Sequence, residues 1–129
     1  MTIAVIDASL AVELLTANRG LRQRILEPYG AHHAPSHLDV ECISALRGML
    51  LGGRLHAGAF TAIALKVTSM PIIRHPIDPL IPRMLGLTHN ATPYDAAYIA
   101  LAEALDADLL TTDAATAAVP GITCRVRVL

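Results

Sequence analysis

The chain opens on a short β-branched run, Ile3-Ala4-Val5-Ile6, that stops at Asp7. That pattern predicts a strand buried on both faces. Apolar residues then recur at helical spacing over 10–15, and Asn18-Arg19-Gly20 reads as the stop. A second short helix is expected over 21–26, ending before Pro28. His32-His33-Ala34 reads as a second strand closed by Pro35. The clearest helix spans 36–51. Gly52-Gly53 ends it and a second long helix over 54–69 completes an αα-hairpin. Residues 71–75 look like a strand, and Asp78-Pro79 opens another helix. The pattern then predicts a helix over 92–106, a strand over 109–112, a helical turn over 114–119 and a last strand over 122–129.

Strands separated by helices, with no tight hairpin signal, imply a mostly parallel sheet covered on both faces. In such sheets the functional crevice lies beyond the carboxyl ends of the strands. Asp7 follows the first strand and Asp113 follows the strand at 109–112, so both stand at that edge. Crossover helices run antiparallel to the strands, which brings their N-termini to the same edge. Asp95 lies in the first turn of its helix, and Glu41 about one and a half turns into its own. Singly, Asp7 and Asp113 read equally well as N-caps. Thr92-Pro93-Tyr94-Asp95 has the form of a capping box, as does Ser36-His37-Leu38-Asp39, and Asp39 is assigned to that role. Glu41 has no cap explanation. Together, carboxylates from four segments repel one another and stay ionised most easily beside cations. Ligation by oxygen alone suits Mg²⁺ or Mn²⁺ rather than zinc. Such ions activate water and orient a phosphodiester, so phosphate chemistry is the expected output.

Composition sharpens this picture. With 129 residues one domain is expected, and 53% hydrophobic residues at a mean hydropathy of +0.49 exclude disorder. Charged residues make up only 16%, which suggests apolar surface hidden in a partner or a second copy. No apolar run approaches the roughly 20 residues of a membrane helix, and Asp7 interrupts the first run before a signal peptide could form. A cytoplasmic protein without a disulfide framework is expected, since Cys42 and Cys124 are the only cysteines. A net charge of −1 excludes a basic nucleic-acid-coating protein. Lys66 is the only lysine; every other basic residue is arginine, either a bias of composition or a preference for the two-pronged phosphate fork.

Four stretches, in this order and spacing, carry a resemblance that covers nearly the whole chain. They are Val5-Ile6-Asp7-Ala8-Ser9, Glu41-Cys42-Ile43-Ser44-Ala45-Leu46-Arg47, residues 92–103 beginning Thr92-Pro93-Tyr94-Asp95, and Leu109-Leu110-Thr111-Thr112-Asp113. The chain resembles a PIN-domain ribonuclease of the VapC toxin family. Only the second stretch departs noticeably, with Ser44 where the family often has Asn. The resemblance implies one PIN domain over 1–129, a three-layer α/β/α sandwich, a homodimer and metal-dependent endonucleolytic cleavage of RNA. It implies that Asp7, Glu41, Asp95 and Asp113 form the metal site, with the Ser9 and Thr111 hydroxyls close by. The implied target is structured RNA, tRNA or rRNA, cut in a single-stranded loop to stop translation. The implied partner is a VapB antitoxin.

Other residues add less. His33 and His37 are four apart, but Pro35 lies between them, so helical ligation by the pair is not expected. Cys42 reads as helix packing. Arg19, Arg22 and Arg24 are either RNA-phosphate contacts or a solvated face. Arg47 is a candidate to balance the acids or to pair within a dimer. Leu50, Leu51, Leu55, Phe60 and Ile63 exceed what one small core absorbs, which makes the helical hairpin a candidate dimer surface. With so few aromatics, base stacking cannot supply most of the RNA affinity. A receiver domain would need paired acids after the first strand and a lysine near the last, and neither is present. A PIN fold acting as a binding scaffold is the remaining alternative; divalent-ion-dependent cleavage separates the two.

Overall fold

The computed structural model describes residues 2–16 and 19–129, without the side chains of residues 19 and 21–23. Five short strands form one sheet: β1 (Ala4–Ile6), β2 (His32–Pro35), β3 (Ile73–His75), β4 (Asp108–Thr111) and β5 (Val126–Val128). Their order is β3-β2-β1-β4-β5 and every pairing is parallel, which makes the expected mostly parallel sheet wholly so. β1 is central and buried throughout, as its unbroken apolar run requires. Among the described residues, seven helices fill the crossovers: α1 (Ala8–Thr16), α2 (Arg19–Leu26), α3 (Leu38–Leu51), α4 (Ala57–Ala64), α5 (Ile81–Gly86), α6 (Pro93–Leu105) and α7 (Ala114–Ala117). α6 lies against β1 and β2, while α1 packs on α3 and β4.

The chain builds outward on one side of β1, through β2 and β3, then returns to the other side for β4 and β5. The switch point of this doubly wound sheet therefore lies between β1 and β4, where a crevice opens at the carboxyl ends. Asp7 directly follows one of those strands and Thr111 ends the other.

α6 is the most buried helix. Its residues from Ala96 to Ala102 are all inside, and the alanines let its backbone approach the sheet. Thr92 caps it by accepting the Asp95 N–H at 3.2 Å, and Pro93 occupies its first position. At its far end Asp106 adopts a left-handed conformation, φ 51°, that ends the helix.

Several elements are shorter than their sequence patterns suggest. The helix expected over 54–69 starts at Ala57, because the His56 ring caps it by accepting the Ala59 N–H. It ends at Ala64 and gives way to a 3-10 turn, Val67–Ser69. The Ser36 capping box is not formed. Ser36 donates its backbone N–H to the His75 carbonyl at 2.8 Å, which ties it to β3, and α3 begins at Leu38. Asp39, freed from the cap, pairs with Arg74 at 2.9 Å. In the hairpin Leu51 is exposed, whereas Leu50, Leu55, Phe60 and Ile63 are half-buried, the last three packed against the core. Among the described residues no helix is long and apolar enough to cross a membrane.

Candidate active site

Asp7 occupies the N-cap position of α1, immediately after β1. Its Oδ1 accepts the Leu10 N–H at 3.0 Å and the Ser9 hydroxyl at 2.7 Å. Its Oδ2 accepts the Thr111 hydroxyl across the switch point. Each hydroxyl has one proton, and both are given to Asp7, so both oxygens remain free to accept. Ser9 Oγ accepts the Thr112 N–H at 3.1 Å, and Thr111 Oγ1 accepts the Asp113 N–H at 3.0 Å. The two strand ends are thus laced together around one carboxylate. Burial pushes the Asp7 carboxyl above its ordinary value, against the pull of these three bonds, and the Asp95 charge pushes it further. The implied site hydroxyls, Ser9 and Thr111, act here by holding Asp7.

Glu41 approaches from α3. Its Oε1 accepts the Tyr98 hydroxyl at 2.8 Å and faces His37 Nε2 at 2.8 Å. The same Nε2 lies 3.1 Å from the Tyr94 carbonyl. Both partners are acceptors, so the geometry assigns the proton to Nε2. His37 Nδ1 is buried without a hydrogen-bond partner among the described residues. Burial works to raise the Glu41 carboxyl, but the His37 and Tyr98 bonds overcome it and leave it below the usual value. Both donors meet on Oε1, and Oε2 accepts no bond among the described residues. The sequence reasoning missed His37 and Tyr98. The i, i+4 spacing of His37 and Glu41 was the available signal; nothing local announces Tyr98.

Asp95 is more open. Burial raises its carboxyl, and the charges of Glu41 and then Asp113 add to the shift. Asp95 is therefore the node through which the acids sense one another: it feels Glu41 and Asp113, and Asp7 feels it. Asp113 caps α7 by accepting the Ala115 N–H at 3.0 Å, so its cap role is real. Among the described residues no three His, Cys, Asp or Glu side chains stand close enough together to hold a metal ion between them. Mg²⁺ does not need such a cage. It keeps several waters and binds through one or two carboxylates plus substrate phosphate. The all-oxygen donors and the mutual repulsion fit that mode.

The other candidates stand apart. Arg47 is exposed and joins none of the acids in an ion pair among the described residues. Arg24 is exposed in the last turn of α2, and the side chains of Arg19 and Arg22 lie outside the described residues. Cys42 is fully buried with its thiol pushed up to about 12, mainly by burial, so it is inert as a nucleophile. His33 does not pair with His37 but faces His75, Nδ1 to Nε2 at 2.8 Å.

No family model matches the chain. It is 36% identical to the ribonuclease VapC1 of Mycobacterium tuberculosis over 129 residues, 97% of this chain and 96% of that one. It is 35% identical to VapC12 of the same organism over 112 residues, 84% of this chain and 85% of that one. Among solved structures, M. tuberculosis VapC20, a sarcin-ricin loop cleaving toxin, superposes with a TM-score of 0.66 at 16% identity. The match covers 93% of this chain and 96% of VapC20. Rickettsia felis VapBC2, solved with a DNA fragment from its promoter, gives a TM-score of 0.60 at 11% identity, covering 96% and 98%. These last two likenesses concern the fold.

Proposed function

The chain belongs to the VapC family of toxin ribonucleases, and from that premise we propose that it is a divalent-ion-dependent endoribonuclease that cuts structured RNA. The observation that carries the proposal is the acid set at the switch point. Asp7 is locked by three donors, Asp95 is raised first by desolvation and then by the Glu41 and Asp113 charges, and neither has an arginine or lysine partner among the described residues. Charge of one sign, gathered at a strand-end crevice without a counter-charge among the described residues, belongs where a cation and a phosphate are to be received.

Asp7 and Asp95 would hold Mg²⁺ or Mn²⁺, with Glu41 Oε2 and Asp113 completing the ring of negative charge. When bound, such an ion supplies an activated water and stabilises the departing oxygen. Ser9 and Thr111 keep Asp7 in place by spending their protons on it. His37 and Tyr98 keep Glu41 ionised and turned outward. The RNA is tRNA or rRNA and its cleavage stops translation in the cytoplasm. Arg19, Arg22 and Arg24 are the proposed phosphate contacts. A VapB antitoxin neutralises the enzyme. The chain, a single PIN domain over 1–129, forms a homodimer, to which the exposed Leu51 on the helical hairpin contributes.

A binding scaffold is the second reading, favoured by the lack of a ready-made metal cage. One experiment separates them. Asp7→Asn and Asp95→Asn should each lower RNA cleavage by about a thousandfold, the loss of several kcal/mol of transition-state stabilisation, with near-wild-type folding by circular dichroism. Glu41→Gln should follow. Full cleavage in excess chelator, or wild-type rates from all three variants, overturns the metal-dependent reading, whereas RNA bound but left uncut by wild type in Mg²⁺ leaves the scaffold.

A further inference from the structure

Beside the acids lies a cavity of about 160 Å³, open on one side and walled by His37, Ile77, Met84, Pro93, Tyr94 and Ala97. It is continuous with the proposed catalytic centre through two residues. His37 is bonded to Glu41, and Tyr94 directly precedes Asp95 and gives its carbonyl to His37. The walls are apolar, which suits neither a phosphate nor a metal ion. We propose that this cavity receives the base of the nucleotide flanking the cut phosphodiester, and that it selects a pyrimidine.

Volume and aromatic placement both support the assignment. An apolar protein cavity of about 150 Å³ holds one benzene ring, so a space of this size matches a single six-membered ring, while part of a fused pair would stay outside its open mouth. The chain has only three tyrosines and one phenylalanine. Tyr29 and Tyr98 are buried and Phe60 is half-buried, whereas Tyr94 is 59% exposed. The one aromatic left in water thus stands next to an acid of the catalytic set. Its ring lies 6.1 Å from that of His37, at 47°, so two aromatic walls border the same space. Unstacked RNA bases are captured on such surfaces. Scarce aromatics limit the affinity that stacking gives, but one well-placed ring is enough to choose a nucleotide. The apolar walls make the choice by ring size rather than by Watson–Crick edge.

This inference rests on the ribonuclease reading, and the experiment keeps the two apart. A randomised RNA pool is cut with Mg²⁺ and the new ends are sequenced. Wild type should enrich pyrimidines about tenfold over purines at one position flanking the cut, within the range a stacked base supplies. Tyr94→Ala should flatten that preference to within about twofold, while Tyr94→Phe, which keeps the ring, should preserve it. A preference absent from wild type, or unchanged in Tyr94→Ala, overturns the base site while leaving the nuclease intact. If no RNA is cut, the nuclease reading fails. The base site is then decided by the ¹⁹F signal of a short phosphorothioate oligouridylate carrying 5-fluorouracil. A signal shifted by wild type and Tyr94→Phe but not by Tyr94→Ala sustains the site, and any other pattern overturns it.

Discussion

Asp39 and Asp7 both stand near the start of a helix that follows a strand, yet only one of them has an arginine. Arg74 reaches Asp39 from β3 and spends its remaining donors on the Val67, Met70 and Ile72 carbonyls, at 2.8, 2.9 and 2.6 Å. Glu103 is treated the same way. Arg83 meets it with two bonds, Thr123 adds two more, and together they hold its carboxyl below the usual value against the effect of burial. Asp7 receives two hydroxyls and a backbone N–H instead, Asp95 pairs with no arginine or lysine among the described residues, and the carboxyls of both are raised, mainly by burial. Among the described residues, arginines thus pair with acids that fasten loops and with none of the acids at the crevice. Under the proposed function, the counter-charge to those acids is what a bound cation would supply.

Breaking the structural pair should produce the largest change in stability. Arg74→Met leaves Asp39 and three carbonyls without their donor and should cost about 2–3 kcal/mol in urea unfolding, less than a fully buried pair because Asp39 is partly solvated. The loss should be the same with Mg²⁺ and with chelator. A deficit that Mg²⁺ repairs would mean that the Asp39 node belongs to the crevice after all.

Which of these acids would fasten and which would bind was only half legible in the residues. Asp7, Asp95 and Asp113 could be placed because each adjoins a strand end or helix start, and a local pattern fixes those. The expected Ser36–Asp39 capping box does not form because Ser36 is taken by β3 through a bond to His75, a contact 39 positions away in sequence that no local rule contains. The last strand was drawn too long for a similar reason: Thr123 turns aside to serve Glu103, and β5 starts only at Val126. Tyr98 was invisible because its role requires α3 and α6 to come together. Patterns of period 2 and 3.6 report what one element buries, not which distant side chain completes a polar site.

Acidification should move the two kinds of carboxylate in opposite directions. Glu103 has a folded pKa below its unfolded value of 4.5, so its contribution is present above that value and lost as the pH falls through the folded pKa. Asp7 has a folded pKa above 3.8, so it binds its proton more readily when folded. Stability therefore rises as the pH drops through that raised pKa toward 3.8. In chelator, the melting temperature of wild type relative to Asp7→Asn should increase on acidification, and relative to Glu103→Gln it should decrease. Melts at closely spaced pH values test this; parallel trends for the two variants would erase the distinction between them.

Asp113 offers the smallest and most discriminating test, because it serves both kinds of role. It caps α7 through the Ala115 N–H, and its charge also pushes Asp95 up. Asn caps a helix about as well as Asp, so Asp113→Asn keeps the first role and removes the second. Without metal the variant should melt slightly higher than wild type, by the equivalent of well under about 1 kcal/mol, since Asp113 is exposed and solvent screens its repulsion. Mg²⁺ should then raise the wild-type melting temperature more than that of the variant, because an ion bound only by the folded state stabilises in proportion to its affinity. The difference between the two Mg²⁺ responses is the quantity to measure, as it cancels any residual change in the cap. Equal responses, with the variant melting lower in chelator, would make Asp113 a cap alone and move it to the side of Asp39 and Glu103, leaving three acids at the crevice.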